Sequence, residues 1–243
     1  MEFLIIFILL ALIAEVFGTV GGFGSSLFFV PIASLFFDFH SVLGITALFH
    51  LSSNIAKIAL FRKGFNKKLI IQIGIPAVIF VILGAYLTRF IDNAYLSISL
   101  SVFLISISIV LLIFERLILK PTLSNAISGG ALSGIAAGLL GTGGAIRGLT
   151  LAAFNLEKNV FIATSAIIDL GIDFSRSFVY FSNGYMHKHD LYLIPILLVV
   201  SIIGTYIGKK ILNRFSQAQF KNIVLSVILI VGIIMLVKQI SDI

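Results

Sequence analysis

Gly18-Thr19-Val20-Gly21-Gly22-Phe23-Gly24 and Gly138-Leu139-Leu140-Gly141-Thr142-Gly143-Gly144 lie 120 positions apart, and each interrupts a long apolar stretch. The same ungapped shift superposes Gly64 on Gly184, Gly84 on Gly204, Tyr86 on Tyr206 and Asn93 on Asn213. Self-similarity at a fixed offset is the mark of an internal duplication. It rests here on the order of the glycines, because identity elsewhere along the diagonal is low. The first repeat is read as residues 1–118 and the second as 119–243. A membrane unit present twice, with an interrupted apolar segment at the same place in each copy, is the pattern of a secondary-transporter core.

The surrounding composition supplies the membrane. The chain is 59% hydrophobic and 11% charged, with a mean hydropathy of +1.17; a soluble domain carries about 25% charged residues. Apolar stretches at 3–37, 42–61, 69–91, 95–114, 124–154, 160–181, 191–212 and 222–237 approach or exceed the roughly 20 residues of a bilayer span. The reading is an all-α polytopic membrane protein without a soluble domain. The lack of cysteine excludes disulfides, thiolate metal sites and cysteine nucleophiles. A net charge of +7 would suggest nucleic acid in a soluble chain, but these cations fall in short loops beside lipid phosphate. Nucleic acid is therefore not an expected partner; membrane lipid is. No nucleotide-binding loop, cofactor motif or metal-ligand set is read. Asp38-Phe39-His40 and His187-Lys188-His189-Asp190 are taken as solvated turns.

Segments 3–37 and 124–154 are too long for one ordinary span, and each has its glycines near the middle. Flanking helices of roughly 3–17 with 27–37, and 124–138 with 145–154, would be about 15–22 Å long at 1.5 Å per residue. That is short of a hydrocarbon core of about 30 Å, so each segment is expected to form a broken or re-entrant helical hairpin. Each repeat then consists of this hairpin plus three transmembrane helices, 8 to 10 helical segments in all. Charge supports inversion of the repeats. With re-entrant segments, eleven Lys and Arg lie on one side (Arg62, Lys63, Lys67, Lys68, Arg116, Lys120, Lys158, Lys209, Lys210, Arg214 and Lys221) and three on the other (Arg89, Lys188 and Lys238). Single crossings would divide them eight to six. Eleven to three is the positive-inside asymmetry, with both termini outside.

The arrangement resembles the sulfite exporter TauE/SafE family, the TSUP permeases. The residues that carry the resemblance are Gly18-Thr-Val-Gly-Gly-Phe-Gly-Ser-Ser-Leu-Phe-Phe-Val-Pro31, the Ser/Asn-rich middle of the next span, Gly64 and Gly84-Ala-Tyr86. The second copy repeats them as Gly138 to Gly144, Gly184 and Gly204-Thr-Tyr206. The chain departs from the family pattern at Phe23-Gly24-Ser25-Ser26, where members carry a longer glycine run, and at Leu151, which stands opposite Pro31. The resemblance implies transport of a small sulfur-containing anion, such as sulfite, thiosulfate, a sulfonate or sulfoacetate, across a bacterial cytoplasmic (inner) membrane. A coupling proton or cation and a homodimer complete the candidate partners.

The residues offer specific chemistry for such a solute. Glycines at a hairpin tip (Gly21, Gly22, Gly24, Gly141, Gly143 and Gly144) leave peptide N–H groups unpaired. Helices starting near Ser25 and Ala145 would aim their positive dipole ends at an anion. Ser25, Ser26 and Thr142 add hydroxyl donors. The competing reading is that the glycines serve only tight helix packing. Arg147 lies three residues beyond the second cluster, and its planar fork suits an oxyanion, unless Asp169 or Asp173 pairs with it. His50, Asn54 and Lys57 occupy one face of the second span, and Asp169, Asp173 and Arg176 repeat the spacing in the second copy. Lys57 and Arg176 are read as anion ligands, while His50, Asp169, Asp173 and Glu15 are candidates for a coupling proton. The alternatives are intrahelical Asp–Arg pairs, a snorkelling Lys57, and a Glu15 that caps the hairpin tip.

Two other functions fit parts of the pattern. An anion channel would share the architecture. An intramembrane serine hydrolase would pair Ser25 or Ser26 with His50, although the glycine-Ser-x-Gly elbow is absent and no enzyme is expected.

Overall fold

The computed structural model describes residues 2–22, 24–62, 64–114, 119–187, 192–212 and 217–241. Lys63, Arg116, Lys188, His189, Asp190 and Arg214 therefore lie outside the described residues, as does the 118/119 repeat boundary on its N-terminal side.

Among the described residues the chain is all-helical: α1 (Glu2–Gly21), α2 (Ser26–Ala33), α3 (Phe39–Leu60), α4 (Lys67–Leu87), α5 (Asn93–Ile113), α6 (Leu123–Leu140), α7 (Gly144–Ala152), α8 (Lys158–Ser182), α9 (Leu193–Ile211) and α10 (Gln217–Ser241). Helix starts follow local sequence. Asp38 accepts the N–H of Ser41, Asn66 that of Leu69 and Thr122 that of Asn125, so each side chain satisfies one of the orphan donors of a first turn. Six of the helices are long and apolar enough to cross a membrane: α1, α3, α4, α5, α6 and α9. Helix α8 has the length but carries Asp169, Asp173 and Arg176.

The broken hairpins are present, with longer first arms and shorter second arms than the sequence suggested. Helices α1 and α6 have 20 and 18 residues, about 30 and 27 Å; α2 and α7 have 8 and 9, about 12 and 14 Å. Gly18 and Gly138 do not end their helices, because each is a contact point inside one. A Cβ on Gly18 would lie 2.2 Å from Ser25, and one on Gly138 would lie 2.4 Å from the Val81 carbonyl oxygen. The break comes later, where φ turns positive at Gly22 (71°), Gly24 (84°) and Gly141 (73°), a conformation cheap only for glycine. Helix α2 then doubles back along α1, with Phe17 against Phe28 and Phe7 against Phe29 and Phe36.

Contacts set the direction of the long helices. Thr164 accepts from the N–H of Asn66, Gly74 lies beside Ile168, and Asn183 donates to the Ala85 carbonyl, so α4 and α8 are parallel. Ile73, Ala77 and Val81 face Gly130, Gly134 and Gly138, so α6 is parallel to α4. Gly44 meets Tyr185, Asn54 meets Asp173 and Phe61 clusters with Ile162, which makes α3 antiparallel to α8. Helix α9 follows α3 through Ser52 to Leu198 and Lys209 to Leu60. Helix α1 follows α9, with Gly204 beside Glu15 and Gly208 beside Thr19. The equivalent pairs α1/α6, α3/α8 and α4/α9 thus run oppositely, as inverted repeats require. The two halves of the sequence interlock: α4 packs along α6, α1 along α9, and α3 against α8.

Candidate functional site

Inversion brings the two breaks together. Thr142 Oγ1 donates to Ser26 Oγ at 3.2 Å, and Gly24 lies against the Arg147 guanidinium. Helices α2 and α7 therefore present neighbouring N-termini to one small cavity. Gly24, Ser25, Ser26, His50, Asn54, Lys57, Gly141, Gly143, Gly144, Arg147, Asp169, Asp173 and Arg176 line it, with Ala137 and Ile172. Gly21, the last residue of α1, and Thr142 stand just outside. Gly22 borders an adjoining cavity, which Gly24, Lys57 and Asp169 share. Glu15 lies behind Ser25 and Lys57.

The charges are already paired. Glu15, fully buried, accepts hydrogen bonds from Ser25 (2.6 Å), Ser53 (2.6 Å), Thr205 (2.9 Å) and Thr19 (3.1 Å), and pairs with Lys57 at 3.0 Å. Among the described residues it collects hydroxyls rather than peptide N–H groups of the tip, where the sequence suggested a cap. Lys57 points inward, donating also to Ser53 at 2.7 Å, and does not snorkel. Arg147 pairs with Asp169 and donates Nε–H to Ser165.

Arg176 directs Nε and Nη2 at Asp173 (2.8 and 2.7 Å), whose other oxygen accepts from Asn54 (2.7 Å). Its Nη1 donates to the carbonyls of Ala137 and Gly141, both at 2.9 Å. Those are C-terminal carbonyls of α6, left without helical partners by the break. Four of its five donors are thus spent, two on Asp173 and two on holding the second tip, an arrangement closer to a helix cap than to a free anion ligand. Tyr180 reinforces it with a 2.6 Å bond to the Gly138 carbonyl.

What remains unspent defines the chemistry. Among the described residues, Arg147 has no protein acceptor at Nη1, Ser26 accepts a bond without giving one, and His50 Nε2 is buried without a partner. Each of these residues lines the cavity. Three cations (Lys57, Arg147, Arg176) oppose three carboxylates (Glu15, Asp169, Asp173), so with neutral His50 the cluster carries no net charge. The cavity is only ≈ 10 Å³, about the space for one water. Neither Ser25 nor Ser26 bonds to His50; Ser25 gives its proton to Glu15.

Sequence reading singled out most of these side chains but missed Ser165, Thr19, Thr205 and Tyr180. Ser165 precedes Asp169 by one helical turn, a periodicity that was available. Thr205 reaches Glu15 only through packing between repeats, and Tyr180 reaches Gly138 only through packing of α8 on α6.

No curated protein and no solved structure matches the chain. The family model described as "Sulfite exporter TauE/SafE" matches residues 7–235. That span includes every side chain of the cavity and both glycine breaks, and the chain belongs to the sulfite exporter TauE/SafE family.

Proposed function

We propose that the protein is a secondary transporter that carries a small sulfur-containing oxyanion, of the sulfite, thiosulfate, sulfonate or sulfoacetate class, across a bacterial inner membrane. The observation that carries this reading is the meeting of two half-helix N-termini beside Arg147, Ser26 and His50, which retain donors toward a shared cavity. Converging peptide dipoles and unspent N–H groups favour an oxyanion, and the site between inverted repeats suits alternating access. The small volume of the cavity supports a carrier over a continuous pore, because it leaves space for about one water and the halves must part to admit a larger solute.

Charge balance adds a coupling requirement. A monoanion entering a neutral cluster brings one uncompensated charge into low dielectric, so the anion travels with a proton. We assign that proton to Asp169. Its side chain is 17% exposed, whereas no other member of the three ion pairs exceeds 8%, and it borders the second cavity toward the basic face. Arg147 on α7, Lys57 on α3, and Asp173 and Arg176 on α8 surround it. Protonation would loosen the Arg147–Asp169 pair and free the guanidinium for solute.

Purified protein in liposomes tests this with sulfite, thiosulfate, taurine, sulfoacetate and chloride. Saturable uptake of a sulfur oxyanion, stimulated by an exterior more acid than the interior, is expected. Arg147→Ala should lower uptake about 10- to 100-fold, the cost of one or two charge-assisted hydrogen bonds. Asp169→Asn, a mimic of the protonated carboxyl, should keep anion exchange but lose the response to the pH gradient. Chloride flux that never saturates would replace the carrier with a channel.

A further inference from the structure

The outer face of α3, away from the polar cavity, forms an apolar groove with α9 of ≈ 680 Å³. Internal symmetry explains why it is open. Its counterpart is the α4–α8 interface, which is closed. There a Cβ on Gly74 would sit 3.6 Å from Ile168, and one on Gly171 would sit 3.4 Å from Val78. One repeat length away, the equivalents are Ile194 with Leu48 and Leu51 with Leu198. All four line the groove. Two glycines that let one pair of helices close are replaced by branched side chains that hold the other pair apart.

Among the described residues, cations gather at one end of the groove. Near Leu60 and Tyr206, Arg62 Nε donates to the Ala59 carbonyl and Lys209 Nζ to the Leu60 carbonyl, each at 2.6 Å. Lys210 Nζ lies 4.6 Å from the centre of the Tyr206 ring. Ala59, Leu60 and Tyr206 all line the groove. At the equivalent end of the closed interface the three cations become Ser182, Arg89 and Phe90. Apolar volume and a cationic rim thus coincide on one of the two symmetric faces, on the side that carries the basic loops.

We infer that this groove binds an acidic phospholipid, with one acyl chain between α3 and α9 and the headgroup phosphate against Arg62 and Lys210. Basic pockets between membrane helices on the positively charged side select acidic headgroups, and a dry apolar groove in a bilayer is filled by hydrocarbon. A second copy of the chain is the poorer occupant, since it would place like charges from two rims together. The lipid braces α3 from behind while His50, Asn54 and Lys57 on its inner face line the polar cavity. The lipid site itself is independent of the transport reading.

Native mass spectrometry of the detergent-purified protein, titrated with phosphatidylglycerol or phosphatidylcholine of the same chains, tests the inference. Wild-type protein should retain phosphatidylglycerol preferentially. Arg62→Ala and Lys210→Ala should each weaken it about five-fold and leave phosphatidylcholine unchanged, and Ala59→Phe, which fills the groove, should lower both. Melting temperatures in lipid-free detergent identify variants that remain folded. Equal retention of the two lipids, unaffected by loss of either cation, would overturn the proposal. So would disulfide cross-linking of Ile55→Cys between two copies, which would give the groove to a dimer.

Discussion

Glu15 illustrates how a carboxylate is held inside a membrane helix. Four hydroxyls from α1, the first break, α3 and α9 converge on its two oxygens, and Lys57 supplies the counter-charge. Removing one member of a buried pair leaves the other uncompensated, at a cost of about 3–5 kcal/mol. Glu15→Ala is therefore expected to destabilise by about that amount. Glu15→Gln combined with Lys57→Met should recover most of it, because both charges leave together; a double-mutant cycle of melting temperatures measures the coupling. Additive losses would mean that the hydroxyl bonds, not the ion pair, hold the site. The helix-face spacing made Asn54, Lys57, Asp169 and Asp173 legible as a group. Which cation keeps free donors was not legible, because the Arg176 partners at Ala137 and Gly141 lie 35 to 39 residues away in sequence.

At the scale of elements, packing between α4 and α6 decides how closely the repeats interlock. A Cβ on Gly134 would lie 2.2 Å from the Ala77 carbonyl oxygen, with Gly130 and Gly138 one turn away in equally close contacts. Small residues at four-residue spacing let helix backbones touch in lipid. Gly134→Ala should therefore cost folded yield, despite a gain in helix propensity of about 1 kcal/mol. Gly171→Ala, whose Cβ meets Val78 at an ordinary 3.4 Å, should be neutral or stabilising. Size-exclusion profiles after heating separate the two, and equal tolerance would show that α4 and α6 can move apart freely. The glycine clusters revealed that each long segment breaks. They did not reveal where, because the helical Gly18 and Gly138 read the same in sequence as the left-handed Gly22, Gly24 and Gly141.

For the whole molecule, inversion makes a topological prediction. Arg62 and Ser182 are equivalent under the 120-residue offset, and both are exposed. In a chain without native cysteine, Arg62→Cys and Ser182→Cys should label with a membrane-impermeant maleimide from opposite sides, Arg62→Cys from the cytoplasm. Labelling from one side would mean parallel repeats. Composition and the glycine offset by themselves pointed to the membrane class and the duplication, and the loop charges to the orientation that this labelling tests, because hydrophobic length, backbone freedom and the positive-inside bias are local or additive properties. Only the tertiary structure decided where each hairpin breaks, that Glu15 pairs with Lys57 and Arg147 with Asp169, and that an apolar groove opens at one helix interface. Those depend on contacts between separate helices, and no periodicity within a single helix encodes them.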